Sequence, residues 1–399
     1  MKIVFLAPFG IRPKGTVIAR MLPLAAALQK VGHTVTIVAP PYTNPEDSGR
    51  VEVVNGVRLL NVTLPCCGKV FGTLPLVWRM LRATLAEKPE VIHLFKPKGY
   101  GGLSSMLHLS LQRLGLTLPP LFVDTDDWEG YGGMNELHNY SPFEKRFFAF
   151  QEQWLLRNCA GVTVASRELE KLTCGIGVPA ERVLYLPNCV QEMVRGDGAS
   201  IRAKFGIGIN EPVVLLYTRF FEFAQDRLYR VFAKIHQRVP GVRFLVVGKG
   251  RHEEETQLLT AAQEFGFSSA LVLAGWLNPD EIPDYLAAAD VGLYPLDDTL
   301  VNRAKCPAKL IEIVSSGIPV VADRIGQVPE YLNDGISGYL CQPGNDDEMA
   351  ELSAALLHDR IRARMYGADG RRHILTVFNW RDFADRLDLS YKNKIGVKR

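Results

Sequence analysis

Short apolar runs separated by helix-length segments recur along this chain, and the whole pattern occurs twice. In the first half Ile3–Ala7, Thr34–Ala39, Val57–Val62, Val91–Phe95, Leu121–Asp124 and Gly161–Ala165 read as strands. Val17–Gln29 reads as a helix, with Val17, Met21, Leu24, Ala25 and Leu28 on one face and Gly32 as its stop. The second half repeats the pattern with strands over Val213–Tyr217, Val242–Val247, Ala270–Ala274, Val291–Tyr294 and Pro319–Ala322. Helices are expected between them over Asp226–Gln237, Glu253–Phe265 and Ala308–Ser316. Parallel strands need crossovers long enough to hold a helix, and burial on both faces makes them continuously apolar. The expected class is therefore α/β, with two parallel-sheet, Rossmann-like domains.

The segment Asn188–Pro212 between the halves is rich in glycine and charge, with Arg195-Gly196-Asp197-Gly198 at its centre. We expect an N-terminal domain over 1–190, a linker over 191–211 and a C-terminal domain over 212–370. A helical tail over 371–399, carrying Phe378, Trp380, Phe383 and Leu387, is expected to pack back on the N-terminal domain.

Composition excludes several classes. With 399 residues, 47% hydrophobic and 22% charged, the chain can build real cores. A net charge of +3 is too mild for nucleic acid binding. Seven scattered cysteines without a C-x-x-C pair argue against a disulfide framework or a zinc site. The apolar run at the N-terminus breaks at Pro8, and no run reaches the roughly 18 residues of a membrane span. A cytoplasmic protein is expected. One helix leaves a choice open: Leu74, Val77, Trp78, Leu81 and Leu85 form an apolar face beside Arg79 and Arg82. Packing on the sheet is the favoured reading, and docking on an anionic membrane is the other.

Ligands of open parallel sheets bind beyond the carboxyl ends of the strands. Arg219 follows the strand Val213–Tyr217 and can pair with phosphate. Gly248 and Gly250 follow the next strand and permit close approach of a ligand. Pro307 fits the first turn of a helix whose N–H groups and partial positive charge suit a diphosphate. Lys309 adds a full charge there, and Glu312, one turn deeper, can accept hydrogen bonds from ribose hydroxyls.

Pro307–Ala322 resembles the donor-binding element of family-4 glycosyltransferases with the GT-B fold, which reads roughly Glu-Ala-x-Ala-x-Gly-x-Pro-Val-Val-Ala. Leu186-Pro187-Asn188, Tyr217-Thr218-Arg219, Leu273-Ala274-Gly275-Trp276, Ala289–Pro295 and Gly326–Glu330 resemble other segments of that family in the same order. The resemblance implies two Rossmann-like domains facing across a cleft. It implies transfer of a sugar from a nucleoside diphosphate sugar to an acceptor hydroxyl, with retention, without metal and without a cofactor. Arg219, Lys309 and Asp126 are the expected catalytic residues. Gly15, Gly248, Gly250, Trp276, Arg303, Lys305 and Glu312 are the expected donor contacts. Lys14, His93, Lys96 and Asp127 are the expected acceptor contacts, for a sugar, lipid or small-molecule acceptor. Two family positions differ: Ala304 stands where a first glutamate is usual, and Ala224-Gln225 where a lysine is usual. Arg303, Lys305 and Lys309 are expected to supply the missing charge. An epimerase of the same fold and a non-catalytic partner that binds sugar nucleotides are the alternatives.

Overall fold

A computed structural model describes residues 1–12, 15–66, 68–190 and 196–396. The chain divides into two compact units. The first comprises Met1–Asn188, Ala304–Cys306 and Trp380–Arg399, and the second Cys189–Arg303 and Pro307–Asn379.

The first unit holds an eight-stranded sheet. Its strands are β1 (Lys2–Leu6), β2 (Thr34–Ala39), β3 (Val51–Val54), β4 (Val57–Asn61), β5 (Val91–Phe95), β6 (Leu121–Thr125), β7 (Gly161–Val164) and β8 (Val183–Tyr185). Their order is β3-β4-β2-β1-β5-β6-β7-β8, parallel except for the β3–β4 hairpin. Strands β1, β2, β5, β6 and β7 are nearly continuous in Val, Ile, Leu and Phe and are buried almost throughout, as a sheet covered on both faces requires. The hairpin β3 and the short β8 carry a weaker apolar signal and escape the sequence reading.

The second unit holds β9 (Val213–Tyr217), β10 (Arg243–Val247), β11 (Leu271–Gly275), β12 (Val291–Tyr294), β13 (Val320–Asp323) and β14 (Gly338–Cys341). All are parallel, in the order β11-β10-β9-β12-β13-β14. On one face Phe232 stacks on Phe244 at 4.1 Å, with Phe267 edge-on to both. In each sheet the strand order reverses once, at β1/β5 and at β9/β12, which places a ligand crevice at those carboxyl ends.

Two segments differ from the sequence expectation. Within 191–211, Gly198–Lys204 forms a helix, capped by the Asp197 carboxylate on the N–H groups of Ala199 and Ser200. Short polar helices held by a cap carry little periodic signal. The described residues from 371 onward fall mostly in two helices, Arg360–Val377 and Trp380–Gly396, of which the second groups with the first unit.

Candidate active site

In the second unit the end of β9 organises the site. Thr218 donates to Glu222 and accepts from the Phe220 N–H, and Phe220 takes a left-handed φ of 68°. This pinned turn leaves the Arg219 side chain exposed. Tyr217, the last residue of β9, is buried. Burial and the Glu312 carboxylate push the Tyr217 phenol well up, keeping it protonated as a donor. The Lys309 ammonium lies over the Tyr217 ring, 4.5 Å from its centre. Lys309 and Glu312 come from the helix Ala308–Ser315, whose N-cap residue, Pro307, makes no side-chain cap. Its first N–H groups are thus suited to a ligand. Lys309 lies over the Tyr217 ring, Glu312 follows one turn later on the same helix, and Arg219 stands two residues past Tyr217.

A cavity of about 590 Å³ opens at the carboxyl ends of β10 and β11. Lys249, Arg251, Glu255 and Trp276 line it, and Trp276 is 60% exposed. The glycines here serve otherwise than expected. Gly248 donates its N–H to the Gly275 carbonyl at 2.8 Å, and a Cβ on it would fall 1.9 Å from the Thr218 carbonyl oxygen. Its φ of 126° likewise demands glycine. Gly250 lines the cavity, but its N–H is taken by Glu255 at 2.9 Å. Glu254 takes the neighbouring His252 N–H. Acids therefore occupy the backbone donors that a phosphate would need.

Arg303 forms a bidentate pair with Asp298, at 2.5 and 2.7 Å, so its charge is already balanced. Lys305 is buried and groups with the first unit, together with Ala304 and Cys306. That grouping is held by Ser166, which donates to the Ala304 carbonyl, and by Asn188, whose side chain donates to the Cys306 carbonyl at 3.0 Å. Of the two residues expected to supply the missing donor charge, Arg303 thus meets Asp298 and Lys305 groups with the first unit. Gln225, at a position where the family has lysine, turns its amide onto the Phe220 carbonyl at 2.6 Å and closes the β9 turn.

In the first unit, Asp126 and Asp127 follow β6 and Lys96 follows β5. Lys96 takes a φ of 56°, uncommon outside glycine, and its ammonium meets Asp126 at 3.1 Å and Asp127 at still closer range. Thr16 donates to the other Asp126 oxygen at 3.2 Å. Lys98 pairs with Glu129 at 2.6 Å. Burial opposes the Lys96 charge, but Asp126, Asp127 and Glu129 outweigh it and hold the ammonium well above its usual range. Burial likewise works against Asp126, yet Lys96 and Arg20 hold its carboxyl below the usual value. Burial, only partly offset by Lys96, pushes Asp127 up. The two neighbouring carboxyls are thereby shifted in opposite directions, Asp126 down and Asp127 up.

The remaining expected residues of the first unit divide. The Gly15 carbonyl starts the turn at Val17–Met21 by accepting from Ile18 and Ala19. Lys14 lies outside the described residues. Arg12 is drawn onto Asp47 at 2.9 Å. His93 does not reach a ligand: it is fully buried in a relay. Thr163 donates to Asp124, so its oxygen accepts from the His93 Nε2–H (3.1 Å), and Nδ1 accepts from the Tyr391 hydroxyl at 2.6 Å. Burial and the nearby Arg20 push the imidazole down to about 3, so it stays neutral. At the end of this relay Arg20 grips Asp124 bidentately at 2.6 and 2.8 Å, with Leu186 and Asn188 as further acceptors. Nothing local in the sequence marks Arg20, since its partners lie more than a hundred residues away.

Two family models match most of the chain: a "Glycosyl transferase 4-like domain" over residues 15–189 and "Glycosyl transferases group 1" over residues 211–359. The chain belongs to this glycosyltransferase family. The GDP-mannose-dependent alpha-(1-6)-phosphatidylinositol monomannoside mannosyltransferase of Mycobacterium tuberculosis H37Rv is 29% identical over 215 residues, 52% of this chain and 55% of that one. The chain thus spans about half the length of that curated relative. A phosphatidylinositol N-acetylglucosaminyltransferase component of Arabidopsis thaliana is 22% identical over 98% of this chain and 81% of its own length. Sucrose-phosphate synthase from Thermosynechococcus elongatus superposes with a TM-score of 0.75 over the whole of both chains at 19% identity. HepE of Anabaena, solved with UDP, gives 0.72 over 98% of this chain and all of its own, also at 19%. At such identities the likeness shows the fold, which is GT-B.

Proposed function

We propose that this chain moves a sugar from a nucleoside diphosphate sugar to an acceptor hydroxyl, with retention and without metal. The observation that carries the reading is the Lys309 ammonium over the Tyr217 ring at the head of the helix Ala308–Ser315, with the Arg219 side chain exposed just past the same strand end. Breaking the glycosidic bond leaves negative charge on the diphosphate. Lys309, Arg219 and the helix N–H groups meet that charge as it grows, which is the largest single contribution in many enzymes. Glu312 takes the ribose hydroxyls, and Trp276 with Arg251 lines the cavity for the base. In a retaining transfer the leaving phosphate oxygen accepts the proton of the attacking hydroxyl, so no side-chain base is required. Asp126, ionised and fixed by Lys96 and Thr16, orients the acceptor by accepting a hydrogen bond from it.

The acceptor we propose is lipid-borne, presented at an anionic membrane surface. Val77 and Leu81 of the helix Lys69–Ala86 are buried, as packing on the sheet predicts. Phe71, Leu74 and Trp78, however, stand 81%, 78% and 55% exposed, with exposed Arg79 and Arg82 beside them. An apolar stripe flanked by arginines suits anionic headgroups, and two relatives carry phosphatidylinositol in their names. Among the described residues no helix is long and apolar enough to cross a membrane.

Calorimetric titration with UDP, GDP and ADP tests the donor side. At least one binds, and Arg219→Ala and Lys309→Ala each weaken it roughly tenfold or more, as loss of a charge-assisted contact implies. Unchanged affinity in both variants refutes the phosphate assignment. Release of an epimerised nucleotide-sugar without acceptor would replace transfer by epimerisation.

A further inference from the structure

Tyr42, Tyr100 and Tyr140 stand beyond the carboxyl ends of the first unit's strands. Tyr42 follows β2, Tyr100 lies in the first turn of the helix Gly99–Arg113 after β5, and Tyr140 lies between β6 and the helix Pro142–Asn158. The Tyr42 and Tyr100 rings meet edge to face, with centres 5.4 Å apart and planes at 67°. Tyr42 is 44% exposed, and Tyr100 and Tyr140 are half-buried. The Lys98 ammonium, two residues before Tyr100, lies 5.7 Å from the centre of the Tyr140 ring. Glu129 at 2.6 Å and Asn135 at 3.0 Å, both buried, hold it there. Asn135 in turn donates to the Glu129 carbonyl at 2.6 Å, so this wall is set before any ligand arrives.

A phenol ring offers an apolar face and a polar rim. Its match is a saturated ring with an apolar C–H face and hydroxyls around the edge. Charge narrows the ligand further. Arg12 is met by Asp47, Lys96 by Asp126 and Asp127, and Lys98 by Glu129. A phosphate or carboxylate would bring negative charge beside carboxyls whose cations are already paired. Hydroxyls meet no such repulsion, and Asp126 and Asp127 each keep some side-chain surface exposed to accept from them. We propose that Tyr42, Tyr100 and Tyr140 form a specificity subsite for the acceptor, seating an uncharged, hydroxyl-rich ring, a sugar or a cyclitol, against the tyrosine faces. This rests on the reading of the first unit as the acceptor side, and it narrows the lipid-borne acceptor to one whose reacting end is such a ring.

Saturation-transfer NMR on the full chain tests the subsite. The ring probes are myo-inositol, methyl α-D-mannopyranoside and methyl α-D-glucopyranoside, and the open-chain probes are glycerol and glycerol phosphate. Each is measured with and without the tightest-binding of UDP, GDP and ADP. At least one ring probe should take up clearly more saturation than either open-chain probe, and the cyclitol and glycoside arms tell which ring is preferred. Tyr42→Ser and Tyr100→Ser should each weaken binding of that ring about three- to tenfold, as loss of an aromatic contact implies. Tyr42→Phe keeps the ring face and should retain it. In all three variants the Tm and the nucleoside diphosphate affinity should stay near those of the wild-type protein. Rings held no better than glycerol, a ring signal that survives both serine variants, or a preference for glycerol phosphate each overturn the subsite. Nucleotide binding is read separately. If a nucleoside diphosphate binds and no ring does, the subsite is wrong and the donor site stands; if a ring binds in the tyrosine-dependent way and no nucleoside diphosphate does, the donor reading fails and the subsite stands.

Discussion

Asp124 and Asp126 are two residues apart in the sequence, yet the structure gives them opposite duties, and asparagine at each position separates the two. Asp124 is fully buried, and its two oxygens meet Arg20 at 2.6 and 2.8 Å. In Asp124→Asn the amide keeps one acceptor oxygen but turns a second donor toward a guanidinium that already only donates. It also leaves the Arg20 charge buried among neutral acceptors: that amide oxygen, the Leu186 carbonyl and the Asn188 side chain. Breaking one side of a buried pair costs about 3–5 kcal/mol. In a unit of this size each kcal/mol moves Tm by about 2–4 °C, so the expected drop is roughly 6–20 °C. Scanning calorimetry suits the assay, because two units need not melt as one. Replacing both partners by apolar residues, as Arg20→Met with Asp124→Leu, should cost less than the single change, since no charge is stranded. Asp126→Asn should move Tm by only a few degrees and lower turnover on lipid acceptor by about tenfold or more. A Tm change below about 2 °C in Asp124→Asn would refute the argument that this pair holds the first unit together.

Two further outcomes follow from the same geometry. Because burial lowers the His93 imidazole to about 3, the folded state stays unprotonated where the unfolded chain, near 6.5, takes up a proton; stability is therefore lost as pH falls below about 6.5, reaching roughly 3 kcal/mol at pH 4.5. Urea unfolding across that window should show a slope shallower by about one proton in His93→Gln, and equal slopes in the two proteins would contradict a neutral buried His93. For the membrane surface, sedimentation with phosphatidylglycerol vesicles should capture the wild-type chain more than neutral phosphatidylcholine vesicles do. The Leu74→Ser/Trp78→Ser variant should lose most of that capture while its Tm stays within a few degrees, and capture that survives would sink the docking surface.

Several parts of the site were legible from local pattern. Pro307 at the head of a helix, with Lys309 and Glu312 on one face, is a short-range arrangement, and the helix Ala308–Ser315 carries it as read. Arg219 at a strand end likewise needs only the strand to be found. Gly248 was recognisable as a residue that must be glycine, but the reason was not. The sequence suggested a ligand approaching its backbone, whereas the Thr218 carbonyl does so. Helix exposure was half legible: periodicity grouped Leu74 with Val77 and Leu81, but the helix buries Val77 and Leu81 and turns Leu74 and Trp78 outward with Phe71.

The doubled alternation of apolar runs and helices determined two parallel sheets, because strand and helix periods are written in neighbouring residues. The pairing of charges is not written there. Whether Arg303 meets a phosphate or Asp298, whether His93 meets an acceptor or Tyr391, and which residue neutralises Asp124 depend on what the fold brings within about 3 Å. Coulomb and hydrogen-bond energies fall off over ångströms in space and take no account of separation along the chain. The sequence therefore supplied the cations and carboxylates of this chain, and the tertiary structure alone decided that Lys309 lies over the Tyr217 ring while Arg303 meets Asp298.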